Sequence, residues 1–278
     1  MSDPELRRIL VGTDGSPRAE EAARQAVRLA SALGASLEFV FVVDTTRPHR
    51  EDVEAEGEAA LARVVRLAAD AGVQAPSRLI AGDPAEALVE EAAEHEVDLL
   101  AVGPDAGILG GAIRVGQVAA HVLREAPCSV LIAREASRAF PERILCGVDG
   151  SEGSVRTAAL AARLAAATGA ELRLLHVVPI FRGDNAEWTL DPDEPSPPEL
   201  EPSVRAAEAE GVTPIREMAM GRPESAIVTV AVRERVDLVV VGHRGVAGVT
   251  RVLLGSVSEH VSMHAPCSVI VARPPRAG

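Results

Sequence analysis

Thirty-two residues from Gly103 to Arg134 align without a gap on the thirty-two from Gly242 to Arg273. A second block repeats ahead of them, RILVGTDGS from Arg8 matching RILCGVDGS from Arg143. A pattern present twice in the same order specifies two copies of one domain, placed at residues 1–138 and 139–278. Of the 278 residues, each copy takes roughly 140, enough to bury a core without metals or disulfides.

Within a copy, short apolar runs alternate with helix-length segments. In the first, Ile9–Thr13 is closed by Asp14-Gly15, and Ser16 and Pro17 then provide an N-cap and a first helical residue. Ala19, Ala22, Ala23, Ala26, Leu29, Ala30 and Leu33 follow at helical spacing until Gly34. The same reasoning gives a strand over Leu37–Val43, a helix near Glu51–Ala71, a strand over Leu79–Ala81, a helix opened by Asp83-Pro84 and a strand over Leu99–Gly103. A Gly-rich loop over Gly103–Gly116, a helix over Gln117–Glu125 and a strand over Ser129–Ala133 complete the copy. The second copy repeats the order, with strands at Ile144–Val148, Leu172–Val178, Pro214–Ala219, Leu238–Gly242 and Ser268–Ala272, and helices from about Ser154 and from Ser256. Five continuous apolar strands and four helices per copy imply an α/β fold, two tandem doubly wound domains, each a parallel sheet with helices on both faces.

The composition removes several functions. A net charge of −13 argues against a general nucleic-acid binder, which needs a basic face. All 28 cationic side chains are arginine and none is lysine, so neither a Walker P-loop nor a kinase strand lysine is available. Cys128, Cys146 and Cys267 form no metal spacing, and Cys128 and Cys267 occupy one position in the two copies as small hydrophobes. The opening MSDPELRR lacks an apolar secretion core, and no apolar run nears membrane-spanning length. The expectation is a soluble, reduced, cytoplasmic protein with no membrane association.

The second copy reads Gly242-His243-Arg244-Gly245, nine residues, then Gly255-Ser256-Val257-Ser258. Gly242 ends a strand, Gly245 permits close backbone approach to an anion, and Gly255-Ser256 opens a helix whose free N–H groups face the same spot. Ser256 and Ser258 add hydroxyl donors. A helix terminus contributes about 0.3–1 kcal/mol toward an anion, or about 2 when partly buried, whereas micromolar affinity needs roughly 8 kcal/mol. Loop amides, Arg244 and a base pocket must therefore share the task. If the first and fourth strands are neighbours, Asp149 lies beside this loop at the point where winding reverses, placed to accept from an exocyclic amine or a ribose hydroxyl.

With the Asp-Gly-Ser turn after the first strand and His176-Val177 in the second, this set resembles the universal stress protein family, in its tandem two-domain type, over essentially the whole chain. The resemblance implies five-stranded sheets of order 3-2-1-4-5 and ATP, with or without Mg²⁺, as the bound adenine nucleotide. By matching position it implies adenine and ribose contacts from Gly147, Val148, Asp149 and Val177. It implies phosphate contacts from Gly242, His243, Arg244, Gly245, Gly255, Ser256, Val257 and Ser258. It further implies pairing of the two fifth strands into an internal pseudo-dimer, and homodimers.

The first copy departs from the pattern: Gly103-Pro104-Asp105-Ala106, nine residues, then Gly116-Gln117-Val118-Ala119. Arginine has become aspartate, a glycine has become alanine and both serines are gone. Gly12, Asp14, Val42, Gly103 and Gly116 are retained, so a weak second site, or none, is expected there. The second copy also gains four residues within 181–202, a segment with five prolines and the chain's single Trp188; its second helix should be short and the stretch a mobile excursion, with Trp188 either part of a lid or docking surface or loop filler. His243, inside the phosphate loop, is a ligand contact or an exposed loop residue. His121 and His260 match between copies and read as structural. No catalytic residue and no metal site is identified. Three functions remain: a nucleotide-dependent stress-response regulator, a slow ATPase or adenylyl-transfer enzyme, and a nucleotide-independent dimerisation scaffold.

Overall fold

The computed structural model describes residues 6–45, 50–109, 112–137, 139–179, 186–189, 195–243 and 254–274. Two compact units divide the chain, one from Glu5 to Glu135 and one from Ala136 to Pro274; they are called here the N-terminal and C-terminal domains.

In the N-terminal domain the order is β1 (Arg8–Gly12), α1 (Pro17–Leu33), β2 (Ser36–Asp44), α2 (Arg50–Asp70), β3 (Ser77–Gly82), α3 (Pro84–Glu94) and β4 (Leu99–Val102). Then come β5 (Asp105–Leu109), β6 (Ala112–Val115), α4 (Gln117–Glu125) and β7 (Ser129–Ile132). Its sheet runs β3-β2-β1-β4-β7, all parallel, which is the 3-2-1-4-5 order. Ser16 caps α1 by accepting from the Ala19 amide, and Gly34 ends the helix in the left-handed region at φ 65°. Asp83 caps α3 by accepting from the amides of Ala85 and Glu86.

The C-terminal domain comprises β8 (Arg143–Val148), α5 (Glu152–Thr168), β9 (Glu171–Pro179), β10 (Ala186–Thr189), α6 (Glu201–Ala209) and β11 (Ile215–Gly221). It continues with α7 (Pro223–Arg233), β12 (Leu238–Gly242), α8 (Ser256–His264) and β13 (Ser268–Ala272). The sheet order is β10-β11-β9-β8-β12-β13. Its last five strands are parallel and β10 is antiparallel to β11. In each domain the helices pack in two pairs, α1 with α2 and α3 with α4, then α5 with α6 and α7 with α8, as a doubly wound sheet requires.

Two elements differ from the sequence expectation. The stretch 103–116, expected as a Gly-rich loop, contains the antiparallel hairpin β5–β6, with Ile108 opposite Ile113 and Leu109 opposite Ala112. The excursion in the C-terminal domain contains β10, where Trp188 is in register with Met218; it adds a sixth strand to the expected five. The second helix is short as expected, nine residues in α6 against twenty-one in α2.

With few aromatics, close packing rests on small side chains. Ala158, Ala161, Ala162 and Ala165 of α5 are buried, as are Leu145, Leu172 and Val240 of the sheet; alanine on the inner helix face lets the helix lie close to the strands. All three cysteines are buried and none forms a disulfide, and burial pushes the Cys146 thiol pKa well above its ordinary value, leaving it protonated and inert. No described helix is long and apolar enough to cross a membrane.

Candidate functional site

In the C-terminal domain, β8 lies between β9 and β12, with Cys146 in register with Val240. The chain goes from β8 to one side and later returns to the other, so the crevice at their carboxyl ends is the switch point. Asp149 follows β8 directly. Its Oδ1 accepts from the Ser151 amide at 3.1 Å and from Ser151 Oγ at 2.6 Å, while Ser151 Oγ accepts from the Ser154 amide and caps α5. Gly150 takes φ +80° in this turn, a conformation glycine adopts without strain. The Asp-Gly-Ser signature is thus an Asx turn feeding an N-cap.

Opposite this turn, the end of β12 and the start of α8 are tied together. The Ser258 hydroxyl donates to the Gly242 carbonyl, the Gly255 amide donates to the His243 carbonyl at 2.9 Å, and the His243 amide donates to Ala272 at 2.8 Å. Gly255 is the N-cap of α8 and supplies no side-chain cap, so the dipole end of the helix faces out of the turn. Ser256 is exposed and Val257 half-buried. Ser258 is buried, and its oxygen serves the Gly242 carbonyl, so it fixes the loop's base where the sequence suggested a phosphate donor. His243 is buried; the alternative of an exposed loop residue does not describe it. Arg244 and Gly245 lie outside the described residues.

The other expected base contacts are placed by the strands. Gly147 and Val148 end β8, and Val177 is buried in β9. The Val148 carbonyl is 3.1 Å from His176 Nδ1, which links β8 to β9 at the crevice. A methyl group on Gly147 would stand 2.9 Å from Ile227 Cδ1, so α7 packs directly on this part of β8. The His176 link and the Ser258 tie were missed in the sequence; a His and a Ser beside strand ends were the only signals.

The N-terminal domain holds a cavity of about 150 Å³ at the equivalent end of its sheet. Gly12, Asp14, Val42 and Gly103 line it together. Gly116 is not in the lining; it is the N-cap of α4, and its amide donates to the Pro104 carbonyl at 3.0 Å. Val118, in the first turn of α4, does line the cavity, as do Asp44 and Glu56. Those two acids were not singled out by sequence, since Asp44 reads as a strand end and Glu56 as one of many helix-surface acids. At Gly103 the chain passes close to the start of α1, where an added Cβ would stand 3.0 Å from the backbone carbon of Arg18.

On α3, Glu91, Glu94 and His95 bring ligand atoms within 4.8 Å of one another. Glu91 already accepts from Arg78 Nη2 at 2.6 Å, and that guanidinium opposes a cation.

On α8 the rings of His260 and His264 stack with centroids 4.1 Å apart. Burial lowers the His260 pKa, the neighbouring His264 and Arg222 act in the same sense, and Glu224 opposes them. A histidine with a depressed folded-state pKa binds protons more readily when unfolded, so its contribution to stability is present above the ordinary imidazole value and is lost as pH falls through it. Urea denaturation should accordingly show the wild type losing more stability than His260→Gln between about pH 7.5 and 5.5. Equal losses in the two proteins would remove the His pair from the pH dependence.

Comparison with known proteins gives one consistent result. The model of the universal stress protein family matches the chain twice, over residues 5–134 and 141–273. A universal stress protein of Mycobacterium tuberculosis is 29% identical over 300 aligned positions, covering 98% of this chain and 99% of that one. One of Methanocaldococcus jannaschii is 35% identical over 142 positions, covering 49% of this chain and 84% of its own length. The crystal structure of a universal stress protein from Archaeoglobus fulgidus superposes with a TM-score of 0.76 at 22% identity, covering 96% of this chain and 98% of that one. Both halves of this sequence therefore carry the domain, and the chain belongs to the universal stress protein family.

Proposed function

We propose that the C-terminal domain binds ATP and that the chain works as a nucleotide-dependent stress-response regulator. The observation that carries this reading is the join between β12 and α8. Ser258 and Gly255, at the start of α8, bond to Gly242 and His243 at the end of β12, and the first turn of α8 has no side-chain cap. Uncapped amides at a positive dipole end suit a phosphate. In this reading Gly147, Val148, Asp149 and Val177 hold adenine and ribose. Gly242, His243, Arg244, Gly245, Gly255, Ser256, Val257 and Ser258 surround the phosphates, with His243 and Ser258 acting by shaping the loop. Mg²⁺ would enter with the nucleotide, since Asp149 is engaged by Ser151 and no dedicated carboxylate cage stands beside it among the described residues.

The test is direct. Protein purified and then denatured should release adenine nucleotide, and calorimetry should give ATP binding that Asp149→Asn weakens by about 1–3 kcal/mol, the scale of a charged hydrogen-bond partner. Asn keeps an acceptor for Ser151 and so spares the turn. Unchanged affinity in this variant would move the base elsewhere. Steady release of ADP or AMP by the purified protein would favour the enzyme reading over the regulator.

A further inference from the structure

One ion cluster occurs in both domains with its signs exchanged. In the N-terminal domain Arg78 of β3 stands between two carboxylates, donating to Glu38 of β2 and, at 2.6 Å, to Glu91 of α3. In the C-terminal domain Glu217 of β11 stands between two guanidiniums, 2.6 Å from Arg233 of α7 and 3.5 Å from Arg173 of β9. The places correspond. Glu38 and Arg173 are the third residues of their strands, and Arg78 and Glu217 each precede the closing glycine of theirs by four positions. The register agrees as well: Arg78 pairs with Val40, two beyond Glu38, and Glu217 pairs with Leu175, two beyond Arg173. Arg233 lies one turn further along α7 than Glu91 does along α3.

Around these charges the copies are alike. Leu37, Phe39 and Val40 flank Glu38, Leu172, Leu174 and Leu175 flank Arg173, and all of these apolar side chains are buried. Apolar packing tolerates exchanges of similar volume, so it discriminates weakly between a strand and its counterpart. Tandem copies of one fold are prone to misassembly and to exchange of elements.

Charge does discriminate. β3 seated beside β9 would set Arg78 against Arg173, and β11 beside β2 would set Glu217 against Glu38. A helix docked on the wrong sheet meets the same opposition, Glu91 against Glu217 or Arg233 against Arg78. The side chains of Glu217 and Arg173 are only 2% and 15% exposed, so water and salt screen such a clash poorly.

We propose that the exchanged cluster is a recognition code by which each half of the chain accepts its own third strand and helix and rejects those of the other half, whether in the same chain or in a second copy of it. Native partners attract and every hybrid repels, which separates pairings that apolar contacts leave nearly equal. Ligand binding by either domain plays no part in it.

The full chain, unfolded in urea and diluted, tests this through the share of molecules that regain the elution volume and ellipticity of protein never unfolded. Arg173 and Arg233 also serve Glu171 and Glu234, so the substitutions are made in the N-terminal domain. Inverting its cluster with Glu38→Arg, Arg78→Glu and Glu91→Arg keeps attraction within the domain and turns opposition to hybrids into attraction. The ratio of misassembled to native chains should then rise about tenfold or more over wild type, as the loss of like-charge opposition requires. A neutral variant with Gln at the same three positions should misassemble less than the inverted one, although it lacks the native ion pairs and has the lower urea midpoint. Adding Glu217→Gln to the inverted cluster should raise recovery, despite the loss of a buried carboxylate, because hybrids then lose an attraction. Recovery of the inverted variant equal to wild type overturns the proposal. So does a neutral variant that recovers no better than the inverted one, the order that a purely stabilising role would give. If the inverted variant gives no native protein, the Glu217→Gln addition decides: recovery restored supports the code, and recovery still absent overturns it.

Discussion

Replacing Gly255 with Asp should lower ATP affinity about 100-fold or more, while the melting temperature stays level or rises slightly. Gly255 sits at φ −66°, ψ 142°, backbone open to any residue. Asp83 occupies nearly the same conformation at the start of α3, where its carboxylate accepts from two amides of the first turn. The same side chain at Gly255 would cap α8 in that way, a gain of a few tenths of a kcal/mol over glycine. It would also seat a negative charge where a phosphate is expected and consume the amides that would bind it. A 100-fold loss of affinity corresponds to about 2.8 kcal/mol, which the loss of amide donors, about 1–3 kcal/mol, together with like-charge opposition supplies. The two effects have opposite sign, so a variant that merely misfolds cannot mimic the result. ATP affinity unchanged by this substitution would place the phosphates away from α8.

The second large effect is expected in the core. Leu145→Ala should destabilise the C-terminal domain by about 2–5 kcal/mol, seen as a fall in Tm on the order of 10 °C. Leu145 is fully buried in β8, in the middle of the sheet and in register with Val239. It shares a sheet face with Gly147, which packs against Ile227 of α7, and buried β-branched side chains such as Ile227 and Val230 are stiff at χ1 and fill a void poorly. Leu145→Met, which conserves volume, should cost less than about 1.5 kcal/mol. A loss below 1.5 kcal/mol for alanine would mean that the core collapses around the gap.

Most of the fold could be read from periodicity because helices and strands alternate cleanly. The repeat supplied a check, since each boundary had a partner in the other copy. The reading failed at two short stretches, 103–116 and the excursion that contains β10. The run DAGIL, Gly110-Gly111, AIRV has the form of two short strands around a two-glycine turn, yet comparison with Gly242–Gly255 made it look like a loop. β10 is four residues among acids and prolines, too short for alternation to register. At the site, sequence identified residues by type and spacing but not by orientation. Ser258 was read as a donor to a ligand, whereas its hydroxyl turns inward to Gly242. Asp44 and Glu56 were invisible for a similar reason, because neighbours in the cavity come from different elements.

The antiparallel strand β10 is attached to β11, at the rim of its sheet, with β11 and β9 standing between it and β8. Extra polypeptide added at that junction lengthens the outer border and leaves the β8–β12 crevice its original neighbours. Such a border can accept foreign sequence, so a peptide tag or a recognition module grafted beside Ala186–Thr189 should be carried without altering what the crevice holds.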